Sequence, residues 1–256
     1  MLAYGHFGKV YQTSKNNIVK KLKKSENAQH ERDILSFLSD FPNSNIYLIK
    51  YIDAFEDEEH LFILTGCLNG CCLKDLITKT LTYNQYKDIF VHLLSGLEFI
   101  HNQGIIHRDI KPTNIMFDDD KPKYLDFGLS QFITELSINN PIGGTYYYMS
   151  PEISKIVGYQ QHLLTDKPIE PDNIVDFFVK GDIWSLGICF YYLLNKVLPI
   201  IPTSNKQLSF ITDLLNKDII SNTQYPDLDK VINSMLIKDY IQRLGIKDLV
   251  SIIDMK

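Results

Sequence analysis

Residues 107–114 read His107-Arg108-Asp109-Ile110-Lys111-Pro112-Thr113-Asn114, and twelve positions after Asn114 a second carboxylate stands in Asp126-Phe127-Gly128. One carboxylate, two cations and an amide in eight residues, followed by that second carboxylate, are what is needed to orient a hydroxyl, hold a hard divalent cation and neutralise a moving phosphate. Taken alone, the stretch also fits a polar surface loop after a helix. A phosphoryl-transfer centre needs further parts: a cation for the remaining phosphates, a backbone turn able to approach them, and elements that position both.

The chain before the loop offers such elements. Gly5 and Gly8 sit three apart between short β-prone segments, where the backbone can bend tightly and come close to a ligand. Residues 13–17 form a polar turn, and residues 18–22 alternate well enough to be the return strand of a hairpin, with Ile18 and Lys20 on one face. Ser25 is placed to cap a helix running to Ser39, with Ile34, Leu35 and Leu38 as its apolar stripe and Glu31 on a neighbouring face. Two strand-like runs follow at 47–54 and 60–65. Residues 1–65 therefore predict a small sheet with one helix. From Gly66 onward helical patterns dominate, strongest over 84–102, where Ile89, Phe90, Leu93, Leu94, Leu97 and Ile100 recur at helical spacing. Short strands at 115–117 and 124–125 flank a turn, and helices return at 182–194, 207–215, 228–236 and 246–253.

Composition limits what these motifs mean. A chain of 256 residues, 45% apolar and 22% charged, fits one large domain or two packed lobes and is not of the disordered class. The net charge of −5 gives no electrostatic reason to expect nucleic acid as a partner, and the basic run 20–24 reads as a solvated strand end. Cys67, Cys71, Cys72 and Cys189 contain no Cys-x-x-Cys pair, which speaks against zinc and fits a thiol-reducing compartment, the cytoplasm or nucleus. The longest apolar run, residues 183–194, is too short to span a bilayer.

Taken together, the motifs resemble the protein kinase family of serine/threonine type, end to end. Gly5 and Gly8 are similar to the second and third glycines of the phosphate-covering loop, and Val10 to the valine against the adenine. Residues 18–20 resemble the Ala-x-Lys strand, which makes Lys20 the phosphate lysine and Glu31 its ion-pair partner. Thr65 stands at the gatekeeper position, with Gly66, Cys67 and Leu68 as hinge. The catalytic core is matched by residues 107–109, by Asn114 and by residues 126–128, and residues 150–152 stand where Ala-Pro-Glu is usual. Residues 182–187 match the buried helix beneath the loop, and Arg243 is placed to pair with Glu152.

The resemblance implies an α+β, bilobal kinase-like fold, a single domain over 1–256. Residues 1–65 would form an antiparallel-sheet N-lobe with one helix, truncated at its first strand, and 66–256 the hinge and mainly helical C-lobe. It implies ATP and Mg²⁺, the metal held by Asn114 and Asp126, with Asp109 as base or orienter, Lys111 on the transferring phosphate, and a protein serine or threonine as acceptor. His107 is expected to pack as core. The alternative is a kinase-fold scaffold that turns nothing over. Three departures stand out. Ala3 occupies the first glycine's position. Only eleven positions separate Lys20 from Glu31. Residues 153–180 are longer than usual and are expected to form a loop insertion, either plain surface or a docking site. Arg108 before the catalytic Asp suggests either Ser137 phosphorylation or no phosphorylation requirement.

Overall fold

Alternation along one strand sets the smaller half of the molecule. The protein is described by a computed structural model covering residues 3–5, 8–140, 142–168, 170–201 and 207–254. Strands β1 (Ala3–Gly5), β2 (Gly8–Gln12), β3 (Asn17–Lys23), β4 (Tyr51–Glu56) and β5 (His60–Gly66) form one antiparallel sheet in the order β1-β2-β3-β5-β4. Leu61, Ile63 and Thr65 are buried on one face of β5 while their neighbours are half-buried, the period-2 pattern of a sheet covered on one side. The covering element is helix α1 (Glu26–Ser39), started by the Ser25 hydroxyl, which accepts from Ala28 N. Its stripe of Ile34, Leu35 and Leu38 is buried, and so is Glu31.

Two sequence expectations change here. The leading strand, for which the chain leaves little room, is present as the three residues of β1, paired to β2 with Gly5 opposite Gly8, so the sheet has five strands among the described residues. The turn residues 6 and 7 lie outside those residues. The strand expected over 47–54 is divided. Asn43 adopts a left-handed conformation (φ 69°) and opens a helical turn, α2 (Ser44–Tyr47), and Leu48 is buried beside Tyr124 of the larger half, so β4 starts only at Tyr51.

The larger half contains α3 (Leu73–Leu76), α4 (Tyr83–Asn102), the short strands β6 (Ile105–Ile106), β7 (Ile115–Asp118), β8 (Lys121–Tyr124) and β9 (Gln131–Phe132), then α5 (Pro151–Gln160), α6 (Ile174–Asn195), α7 (Gln207–Asn216), α8 (Pro226–Met235) and α9 (Ile246–Asp254). Helices α4 and α6 meet through Phe90 and Phe190, whose rings stack at 3.7 Å, and both rings are fully buried. The expectation of a long loop over 153–180 is corrected: residues 153–160 complete α5 and 174–180 open α6, leaving irregular chain only between the two helices. The Asn173 side chain caps α6 by accepting from Val175 N and Asp176 N, which starts the helix eight residues before the expected start at 182. Helix α6 thereby reaches 22 residues, long and apolar enough by length and composition to cross a bilayer; 72% of its most apolar window is buried inside the fold, as in a core helix.

Candidate active site

The loop 107–114 is held from below by a buried carboxylate. Asp182 of α6 accepts from the backbone N–H groups of His107 and Arg108, both at 2.8 Å, and from His101 Nε2 at 2.9 Å. These bonds fix a tight bend in which Arg108 takes a left-handed conformation (φ 66°). His107 is fully buried, its ring 5.1 Å from that of Phe127 and 5.8 Å from that of Tyr124. Its Nδ1 accepts from Asp109 N at 3.3 Å and its Nε2 meets Leu125 O at 3.1 Å, a pairing that fixes the tautomer with the proton on Nε2. His107 thus joins the loop to the segment after β8 that carries Asp126.

Asp109 emerges from this bend with both carboxylate oxygens engaged. Oδ2 accepts from Lys111 Nζ at 2.6 Å and from Asn114 Nδ2 at 3.1 Å, and Oδ1 accepts from Thr145 Oγ1 at 2.8 Å. Lys111 also donates to Thr145 Oγ1 at 3.1 Å. The Asn114 amide nitrogen bonds the Asp109 carbonyl as well, at 2.9 Å. That directs its NH₂ group toward Asp109 and leaves its Oδ1 as the free acceptor.

A second cluster forms where the halves meet. Lys20 Nζ lies 2.6 Å from Glu31 Oε1 and 2.7 Å from Asp126 Oδ1, so one ammonium links β3, α1 and the segment after β8. Burial alone pushes the Asp126 carboxyl up, but the Lys20 charge and hydrogen bond outweigh it, aided by His107 and Lys111, and hold the group below the usual carboxylate range. Burial pulls the Lys20 ammonium down, yet Glu31 and Asp126 together raise it above the ordinary lysine value. The Glu31 carboxyl is pushed up by burial and by Asp126, against the pull of Lys20. Asp126 itself is left-handed (φ 50°), and the C-alpha of Gly128 faces both carboxylates: a Cβ there would lie 3.2 Å from Glu31 Oε2 and 3.3 Å from Asp126 Oδ1.

The sheet register places the remaining candidates. Val10 pairs with Lys20 and Lys20 with Ile63; Ile18 pairs with Gln12 on one side and Thr65 on the other. Directly paired residues share a face, so Val10, Ile18, Lys20 and Thr65 project from the same side of the sheet, the side where Glu31 meets Lys20. Gly8 is required where it stands, because a Cβ would come within 2.5 Å of Lys21 O. Gly66, Cys67 and Leu68 continue from β5 into the larger half, with Gly66 N bonded to Lys50 O and Leu68 buried. Gly5 is placed by backbone pairing alone.

A divalent cation fits the donor set. Asn114 Oδ1 and Asp126 Oδ2 carry no hydrogen bond among the described residues, and both are hard oxygens suited to a cation that fills its remaining positions with phosphate and water. No cluster of three or more His, Cys, Asp or Glu able to form a complete protein cage occurs among the described residues.

Two parts were not legible as site residues. Thr145 is not among the residues given a catalytic task from the sequence, yet its hydroxyl contacts Asp109 and Lys111 across 36 and 34 positions. Ser130 is buried and donates to His107 O. The pairing of Arg243 with Glu152 is bidentate, at 2.7 and 3.0 Å, and the guanidinium also donates to the carbonyls of Lys180 and Ile237 and lies 4.9 Å from the Trp184 ring.

The chain is 29% identical over 272 residues to a Dictyostelium discoideum protein named probable serine/threonine-protein kinase fhkA, covering 95% of this chain and 45% of that one. It is 30% identical over 231 residues to CDPK-related kinase 3 of Arabidopsis thaliana, covering 86% and 35%, and 29% identical over 241 residues to calcium-dependent protein kinase 29 of the same plant, covering 90% and 40%. The chain thus spans less than half the length of these relatives. The sequence model of the protein kinase domain matches residues 2–252, and the chain therefore belongs to the protein kinase family, with serine/threonine kinases as its relatives.

Proposed function

We propose that the chain is a catalytically competent serine/threonine kinase domain, which transfers the γ-phosphate of ATP to a hydroxyl of a protein acceptor. The observation that carries the reading is the seating of Asp109, a carboxylate ringed by Lys111, Asn114 and Thr145, with the Lys20–Glu31–Asp126 cluster completing the cleft. Each residue has a distinct task. Asp109 accepts a hydrogen bond from the acceptor hydroxyl, aligns its oxygen with the γ-phosphorus and takes its proton as the new O–P bond forms and the bond to the leaving diphosphate breaks, a task worth ~10² to 10⁴ in rate. Lys111 leans on Asp109 in the free protein and is in reach to offset charge on the transferring phosphate. Lys20, gripped by Glu31, orients the other phosphates. Val10, Ile18, Thr65 and the hinge 66–68 form the slot for the adenine. Bound between Asn114 and Asp126, Mg²⁺ supplies charge neutralisation at the phosphates.

An acceptor serine or threonine is supported by Lys111 and by Thr145 behind Gly144. The test is transfer of labelled γ-phosphate from Mg²⁺-ATP to a mixture of casein and histone, followed by phosphoamino-acid analysis. Phosphoserine and phosphothreonine that vanish on chelation are expected. Phosphotyrosine as the main product would overturn the acceptor assignment, and no product at all would leave a kinase-fold binding protein.

A further inference from the structure

Residues 136–140 and 142–144, between the short 3-10 turn at Ile133–Glu135 and Thr145, make no backbone–backbone hydrogen bond among the described residues. Yet Thr145 must be placed to within a hydrogen bond of Asp109. Two apolar anchors help: Ile138 and Ile142 are buried against Ile153, Ile156 and Val157 of α5 and against Phe178 of α6. The polar anchor is a single side chain at the end of α5. Gln160 Nε2 donates to Ile138 O and to Asn140 O, both at 2.9 Å, and Gln160 Oε1 accepts from Ile142 N at 3.2 Å. One amide thus answers three backbone groups that have no other hydrogen bond among the described residues, and leaving a partner unpaired is costly at the buried Ile138 and Ile142 and slight at the exposed Asn140. Its neighbour Gln161 donates to the Tyr146 hydroxyl at 2.9 Å and is itself held by Gln207 of α7. The stretch between these grips is pressed onto the catalytic loop, since a Cβ on Gly144 (φ 137°) would lie 3.1 Å from Arg108 O.

We propose that Gln160, with Gln161, is a built-in amide clip that orders the acceptor-facing segment and seats Thr145 on Asp109, so that no phosphate on this segment is needed for activity. The clip gives the lengthened stretch after Glu152 a role, because Gln160 ends α5 and Gln161 follows it. The available hydroxyls favour independence from phosphate, although the Arg108 guanidinium, 5.6 Å from the Phe178 ring, lines a cavity with Ile142, Met149, Ser150 and Asp182 and its Nε has no hydrogen bond among the described residues. The Ser130 hydroxyl is buried on His107 O, and the Ser137 hydroxyl already accepts from Asn139 N. Gln160 is a positioning residue, acting through the segment and not on the reacting atoms.

The proposal rests on the kinase reading above, and its test separates the two. Wild type, Gln160→Ala and Gln160→Met are prepared with phosphatase treatment, and the absence of phosphate is checked by mass; methionine keeps the bulk of the side chain while removing its hydrogen bonds. Amide exchange is followed over residues 136–146, with KM for ATP and for casein measured alongside. Dephosphorylated wild type is expected to keep its transfer rate. Both variants should exchange about tenfold faster in this stretch and lose about tenfold in kcat/KM for casein, with KM for ATP unchanged. Gln160→Met matching wild type in exchange and in casein kinetics would overturn the clip. Loss of wild-type transfer on dephosphorylation would overturn the independence from phosphate. Should wild type transfer nothing in either state, the kinase reading fails, and exchange alone decides whether the clip exists.

Discussion

Thr145 Oγ1 donates to Asp109 Oδ1 over 2.8 Å while accepting from Lys111 Nζ over 3.1 Å, so one hydroxyl bridges the carboxylate proposed as catalytic and its neighbouring cation. The relationship ties the position of the segment to the orientation of Asp109. A hydrogen bond to a charged group of this kind contributes about 1.5 kcal/mol at its lower end, slightly more than a factor of ten. Thr145→Ala is therefore expected to lower kcat/KM for a protein acceptor by roughly tenfold, and Thr145→Ser to retain most of it. Steady-state kinetics with casein check both.

Glu31 anchors Lys20, the lysine proposed to orient the phosphates. With its carboxylate removed, Lys20 retains Asp126 alone and is drawn toward the larger half, away from the β- and α-phosphates. Glu31→Ala is expected to raise KM for ATP and cut transfer by about 10²-fold, the cost of a reacting group misplaced by about an ångström. Retention of wild-type kinetics would sever the link between α1 and the nucleotide.

The same cluster shapes the response to pH. Asp126 is held below its ordinary value of 3.8, so its contribution to stability is present above that value and is lost as pH falls through the lowered one. Lys20 is raised, so its contribution is whole at neutral pH and is lost only as pH rises through its folded-state value, above 10.5. Glu31 acts in the opposite sense to Asp126: its carboxyl is raised above 4.5, and stability drops as pH climbs from there through the raised value. Asp126→Asn should be less stable than wild type at neutral pH and show a shallower loss of Tm from about pH 5 to about pH 2. Parallel acid limbs in the two proteins would contradict the assignment.

Arg243 and Glu152 bind α5 to the end of the chain's last loop. The guanidinium is buried and every other contact it makes is to a carbonyl or to the Trp184 ring, so either partner left alone is an uncompensated charge. Arg243→Ala and Glu152→Ala are each expected to cost about 3–5 kcal/mol, a fall in Tm of roughly 10 °C for a chain of this size. Thermal unfolding of the two variants checks it.

Local signals in the sequence carried much of this molecule. Ser25 before an apolar stripe marked α1, and the alternation of Ile18, Lys20 and Leu22 placed Lys20 on the face that meets Glu31, across only eleven positions, because α1 starts three residues after β3 ends. The elements that escaped were fixed by contacts distant in sequence. Leu48 reads as a strand residue, yet it is drawn into the larger half beside Tyr124. Asn173 is a readable cap, but the proline-rich run before it masked the early start of α6. The bonds of Thr145 to Asp109 and of Gln160 to residues 138–142 join side chains through space with no periodicity to announce them.

Transfer of labelled γ-phosphate from Mg²⁺-ATP to casein by wild type and by Asp109→Asn tests the account most directly. The substitution preserves shape and removes the negative charge that accepts the acceptor's proton. The account predicts clear transfer by wild type and a loss of ~10² to 10⁴-fold in the variant, with the variant still folded at the assay temperature by circular dichroism. Equal rates in the two proteins, or no transfer by either, would contradict it.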